Sequence, residues 1–118
     1  YTGTHDNDTT LGWFHSQPGE GNSQTKNEIK SERKKVLKYL KTDGKEIHWD
    51  MIKTALSSKA NTVIIPLQDI LGLDSSARMN VPGTVSGNWR WRFDWTMLTE
   101  EKIHRMKNLT TKFNRNHI

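Results

Sequence analysis

Cysteine is absent from the 118 residues. That excludes a disulfide framework and thiolate-ligated metals, and it fits a reducing compartment such as the cytoplasm. Nor does any apolar run approach the roughly 20 residues a membrane-spanning helix needs, so no membrane partner is expected. The first residues do not read as a signal peptide. Apolar side chains are scarce: 32% of the chain without glycine, with a mean hydropathy of −0.84. Soluble domains carry about 45–50% with glycine counted. Such a chain can bury some core, but little, as expected of a piece cut from a larger fold. An initiating Met is missing as well, and the chain is therefore expected to be a fragment.

Positive charge is present, but in one place. The segment Lys26–Lys41 holds seven of the 18 basic residues (26, 30, 33, 34, 35, 38, 41) and two of the 13 acidic ones, Glu28 and Glu32, leaving eleven of each sign elsewhere. The net charge of +5 therefore belongs to one segment. A basic patch accompanied by aromatics can bind nucleic acid, which makes a basic nucleic-acid-binding module the alternative function. The aromatics are not interleaved with these lysines, however, and no recognition motif occurs. A solvated helix face is the simpler account, and no nucleic-acid partner is expected.

The periodicity predicts three helices. One runs from Ser23 or Gln24 to Lys41, with Ile29, Val36, Leu37 and Leu40 on one stripe, and stops at Asp43-Gly44. A second runs from about His48 to Ser58, burying Trp49, Ile52, Ala55 and Leu56. The last opens at Thr99, a good N-cap followed by Glu100 and Glu101, and turns Ile103, Met106, Leu109 or Thr110, and Phe113 inward. Leu11-Gly12-Trp13-Phe14 is a short apolar patch, expected to pack behind the residues before it. Thr62 to Leu67 is a short, continuous, β-branched run that reads as a strand buried on both sides and ending near Pro66, with Gln68 and Asp69 at its end. A long irregular loop covers Asp74 to Asn88, and Trp89, Trp91 and Phe93 alternate with Arg90 and Arg92 as in an extended segment.

Chemistry concentrates at the start. Tyr1-Thr2-Gly3-Thr4-His5-Asp6-Asn7-Asp8 places an imidazole and two carboxylates within four residues. A calcium loop opening at Asp6 would need Gly at its sixth position and Glu at its twelfth, where Leu11 and Gln17 stand. No metal site is expected, and no cofactor. Asn7-Asp8-Thr9 and Asn108-Leu109-Thr110 match the glycosylation acceptor pattern by chance.

Three blocks, in order, carry a resemblance: the opening through Thr10, Leu67-Gln68-Asp69-Ile70-Leu71-Gly72-Leu73, and Ala77-Arg78-Met79-Asn80-Val81-Pro82-Gly83-Thr84 with Gly87-Asn88-Trp89-Arg90-Trp91-Arg92. Together they resemble the 4-α-glucanotransferases, or amylomaltases, over nearly the whole chain; only the stretch from about Lys26 to Lys45 is generic. The resemblance implies an α/β fold, the C-terminal part of a (β/α)8 barrel. The last two βα units, with parallel strands, would be present, and residues 1–118 would form one piece of the catalytic barrel without a further boundary. It also implies a retaining transfer of α-1,4-glucan segments between maltooligosaccharides or starch chains. The aspartate nucleophile and glutamic acid/base would lie upstream, in the remainder of the barrel, and the chain alone is expected to be inactive.

By the same resemblance, Asp6 is the third carboxylate, a stabiliser of the oxocarbenium-like transition state. His5 is expected to give a hydrogen bond to a sugar hydroxyl; because neighbours on a strand point opposite ways, both reach one ligand only where the backbone turns. Asn80 is a sugar ligand on the donor side, since its amide both donates and accepts. Asn7 and Asp8 are expected to support the turn. Gln68 and Asp69 either touch substrate or anchor Arg78, with the structural role preferred for Asp69. Trp89 and Trp91 either stack on a sugar or pack against the fold, with packing preferred.

Overall fold

The computed structural model describes residues 1–20 and 22–116. Among the described residues there are five helices: α1 (Thr10–His15), α2 (Lys26–Leu40), α3 (Ile47–Ser57), α4 (Leu67–Leu71) and α5 (Glu100–Lys112), with 3-10 turns at Ser75–Ala77 and Trp95–Met97.

Local chemistry fixes most of the helix starts. Thr25 and Glu28 form a reciprocal capping box at α2: the Glu28 carboxylate accepts the Thr25 N–H at 2.6 Å, and the Thr25 hydroxyl accepts the Glu28 N–H at 3.3 Å. Thr9 caps α1 through the Gly12 N–H, and Thr99 caps α5 through that of Lys102. Helix α2 stops where Lys41 turns left-handed, and Gly44 follows at φ +79°. A side chain there would press on Leu37 and the Phe14 ring, so the glycine lets two helices close over the turn.

Helix α3 is the hub, packing against α1, α2, α4 and α5. Trp49, Ile52 and Leu56 on its inner face meet Leu109 of α5 to make the apolar core. A fully buried aliphatic side chain contributes about 1.5–3 kcal/mol, and Ile47 and Ile52 are wholly enclosed. Two arginines fasten the ends of α3. Arg105 binds Glu46 with both nitrogens, at 2.5 and 2.9 Å, and lies over the Trp49 ring. Arg115 donates to the carbonyls of Leu56 and Ser58, which the end of α3 leaves without helical partners, and to that of Ala60 just beyond.

The expected barrel segment is not there. Among the described residues no strand and no sheet exists, so the chain is an all-helical assembly with irregular connections and not two βα units. A strand is stable only on a ladder, and residues 62–66 have no neighbour to pair with. Their alternation survives in another form. Val63 and Ile65 pack against the core of α3 and α5, while Ile64 is 68% exposed, so one face is buried rather than two. Gln68 and Asp69 lie inside the short helix α4, and residues 89–93 form no strand either. In α5, Leu109 is buried and Met106 and Phe113 border the core as expected, but Ile103 is half exposed.

One buried carboxylate ties the N-terminal segment to this helical body. Asp69, 2% exposed, accepts the Thr10 N–H at 2.8 Å and the Thr2 hydroxyl at 2.6 Å. The expected anchoring of Arg78 is not its role. Removing the acid leaves the buried Thr10 donor unsatisfied. Asp69→Ala is therefore expected to cost about 2–3 kcal/mol in chemical unfolding, and Asp69→Asn, which keeps an acceptor for Thr10, about half of that.

A pH dependence follows from His48 on α3. Burial holds its imidazole below the ordinary value of 6.5, against a smaller opposing pull from Glu46, and its buried Nδ1 has no protein partner. As pH falls through 6.5 the unfolded chain takes up this proton before the folded chain does, so stability is full above that pH and declines below it. Thermal midpoints compared at about pH 7.5 and 5.5 should drop in the acid, and His48→Gln should flatten that difference.

Candidate functional site

The backbone turns sharply through residues 4–7, with the Asn7 N–H donating to the Thr4 carbonyl at 3.1 Å. The Asn7 side chain stitches the turn, accepting from the Thr4 N–H at 2.8 Å and the Thr4 hydroxyl at 3.1 Å. This turn removes the strand alternation and brings His5 and Asp6 to one side: His5 Nε2 lies 3.3 Å from Asp6 Oδ1. Asp8 completes the support, accepting from the Thr9 N–H at 2.7 Å and the Ser75 hydroxyl at 2.6 Å. The Asp8–Ser75 bond crosses directly over Gly12, where any Cβ would collide with both side chains. That contact gives the glycine within Leu11-Gly12-Trp13-Phe14 its reason, and a glycine inside an apolar helical stretch is the sequence signal that marks such a close approach.

Asn80, 74 residues away, reaches the same carboxylate and donates Nδ2 to Asp6 Oδ1 at 2.7 Å. The three residues singled out from the sequence, His5, Asp6 and Asn80, are thus assembled in one cluster. Sequence reasoning missed what holds it together. Arg78 donates Nη2 to the Asp6 carbonyl at 2.8 Å and Nε to the Asn80 carbonyl at 2.9 Å, clipping the two segments to each other. Its rigid fork suits two acceptors at a fixed separation. Gln68 joins from α4 by donating to the Ala77 carbonyl at 3.2 Å.

The cluster presents a carboxylate with one oxygen engaged and the other free. Oδ1 of Asp6 meets His5 and Asn80, while Oδ2 has no protein partner among the described residues, and the side chain is about half exposed. A carboxylate oriented by an amide donor and open on one side can accept hydroxyl hydrogen bonds and oppose a developing positive charge. Beside it lies an open cleft of about 360 Å³ with His5, Asn7, Ile64, Gln68, Arg78 and Met79 in its wall; Asp6 and Asn80 are not part of that wall. Such a mixture of polar groups and apolar surface suits a hydroxyl-rich ligand with apolar faces. No three His, Cys, Asp or Glu side chains converge on one point among the described residues.

The loop carrying Asn80 is closed on itself. Asn88 accepts the Val81 N–H at 2.9 Å and donates to the Thr84 hydroxyl at 2.9 Å. Trp89 follows in the left-handed region, at φ +60°, a conformation that costs a bulky residue about 1–3 kcal/mol. Its ring centroid is 5.1 Å from that of His5.

Comparison with known proteins supplies the family. A family model described as 4-alpha-glucanotransferase matches residues 1–99. The chain is 53% identical over 93 residues to the chloroplastic/amyloplastic 4-alpha-glucanotransferase of Oryza sativa subsp. japonica, covering 78% of this chain and 14% of that protein. It is 38% identical over 116 residues to the 4-alpha-glucanotransferase of Clostridium butyricum, covering 98% of this chain and 22% of that protein. Among solved structures it superposes on an amylomaltase from Streptococcus agalactiae in complex with acarbose with a TM-score of 0.79 and 32% identity, over 98% of this chain and 21% of that one. The chain thus spans about a fifth or less of the relatives it matches. The family model covers 99 of the 118 residues, the positions of His5, Asp6 and Asn80 within that range, and this chain belongs to the 4-α-glucanotransferase family.

Proposed function

We propose that the chain acts as part of a 4-α-glucanotransferase, which moves α-1,4-linked glucan segments between maltooligosaccharides or starch chains with retention of configuration. The observation that carries this reading is the Asp6 carboxylate, oriented by His5 and Asn80 and open on one oxygen. In glycosyl transfer the sugar becomes positively charged as the glycosidic bond breaks. A fixed carboxylate accepting hydrogen bonds from the neighbouring hydroxyls binds that state more tightly than the ground state, which lowers the barrier. Asp6 is the stabiliser in this scheme. His5 gives a hydrogen bond to a hydroxyl of the same sugar. Asn80, which uses one of its two amide N–H groups on Asp6, offers its carbonyl oxygen to the sugar and so couples ligand binding to the orientation of the acid. The nucleophile and the acid/base are supplied by other parts of the enzyme, and this chain alone is inactive.

The substrate class is α-1,4-glucan. Support comes from the family membership and from the acarbose complex of the Streptococcus agalactiae relative. No helix among the described residues is long and apolar enough to cross a membrane, and a chain without cysteine suits a reducing compartment such as the cytoplasm.

The test is Asp6→Asn in a family-length protein carrying this segment, assayed with maltotriose by release of glucose. The amide keeps the shape and loses the charge, so turnover should fall at least on the order of 10²–10³-fold while KM changes little. A loss of only about threefold with a folded variant would remove Asp6 from the catalytic set.

A further inference from the structure

We propose that Trp89 is a positioning residue of the Asp6 site, its indole fixing the His5 ring and, through that ring, the carboxylate beside it. The inference rests on the transferase reading and adds a residue that reading does not use.

Three observations carry it. First, the backbone of Trp89 is held in the left-handed region, where a bulky side chain is rarely found. It is fastened from both sides. Its N–H donates to the Met79 carbonyl at 2.6 Å, and its carbonyl accepts from Arg92 Nη1 at 2.8 Å, a guanidinium that also binds the Trp91 carbonyl at 3.0 Å. Second, core packing does not account for this conformation. Trp89 is 51% exposed and has no part in the apolar cluster of α3 and α5, so the strain is not offset by burial. Strain retained at an exposed residue beside a cluster of polar groups is the pattern of a functional constraint. Third, the indole faces the site. Its ring centroid lies 5.1 Å from that of His5 at an interplanar angle of 34°, and His5 Nε2 lies 3.3 Å from Asp6 Oδ1.

The register of these contacts is specific. Residues 78–80 supply three of them: Arg78 binds the Asp6 carbonyl, Met79 holds the Trp89 backbone, and Asn80 binds the Asp6 carboxylate. Asn80 and His5, the latter backed by Trp89, meet the same oxygen of the acid, Oδ1. Without the indole, the half-exposed His5 ring loses its only aromatic neighbour among the described residues and is free to rotate away from Asp6.

The experiment compares Trp89→Phe and Trp89→Gly in the family-length protein, with Trp89→Asn as a second ring-less variant that tolerates a left-handed backbone. The first readout is the pair of imidazole C–H proton resonances of His5, which the indole displaces by its ring current. They should stay displaced in the Phe variant and move to ordinary positions in the Gly and Asn variants. The second is maltotriose kinetics. Gly and Asn should lower kcat on the order of tenfold with KM within about twofold, and Phe should restore kcat to within about threefold of the parent. His5 resonances that do not respond to loss of the ring, or an unaltered kcat in the ring-less variants, would overturn the proposal. A rise in KM alone would assign Trp89 to sugar binding and overturn it equally. If the parent protein has no transferase activity, it is the functional reading that fails, and the His5 resonances decide the positioning role by themselves.

Discussion

A carboxylate almost without contact to solvent joins the two halves of this structure. Asp69 lies on a helix of five residues, too short to be stable alone, and meets two donors that lie 59 and 67 residues earlier. Burying an acid is unfavourable unless its oxygens are satisfied, and here each oxygen has a donor. The Thr10 N–H is one of the groups that the start of α1 leaves without a helical partner, so a single bond satisfies a buried acid and a helix terminus together. The position of α1 against α4 follows, and with it the position of the turn that carries His5 and Asp6.

From that anchor the site is built by side chains that bind backbone. Arg78 binds the carbonyls of Asp6 and Asn80 and forms no ion pair with the Asp6 carboxylate among the described residues; that group is met by Asn80 and His5. The distinction matters for chemistry. A guanidinium on the carboxylate would offset its charge, whereas an amide orients it and leaves the charge available. Asp8, Gly12 and Ser75 act in the same way one step further out, since the absence of a Cβ at Gly12 lets the Asp8–Ser75 bond form. The basic ridge of α2 stands apart from all of this. Lys26, Lys30, Lys34 and Lys38 are exposed, and none forms an ion pair among the described residues. It behaves as a solvated face, while Ile29 on the other side turns inward.

What the sequence by itself determined was mainly local. The α2, α3 and α5 helices begin and end within a few residues of where period and capping place them, because a Thr cap, a first-turn acid and an apolar stripe act over four or five residues and need no distant partner. The turn chemistry at Asn7 and Asp8 was legible for the same reason, and the identity of His5, Asp6 and Asn80 as candidate site residues came from motifs that resemble one family. Tertiary structure decided the rest. The apolar run 62–66 has strand composition, but a strand exists only through hydrogen bonds to another, and the described chain provides none, so the same side chains pack against α3 and α5 without a ladder. The Asn80–Asp6 bond spans 74 residues, and Arg78 reaches Asp6 across 72. No local pattern encodes those distances. Nor does any encode the left-handed backbone of Trp89, a conformation that residue type disfavours and that only contacts from Met79 and Arg92 maintain.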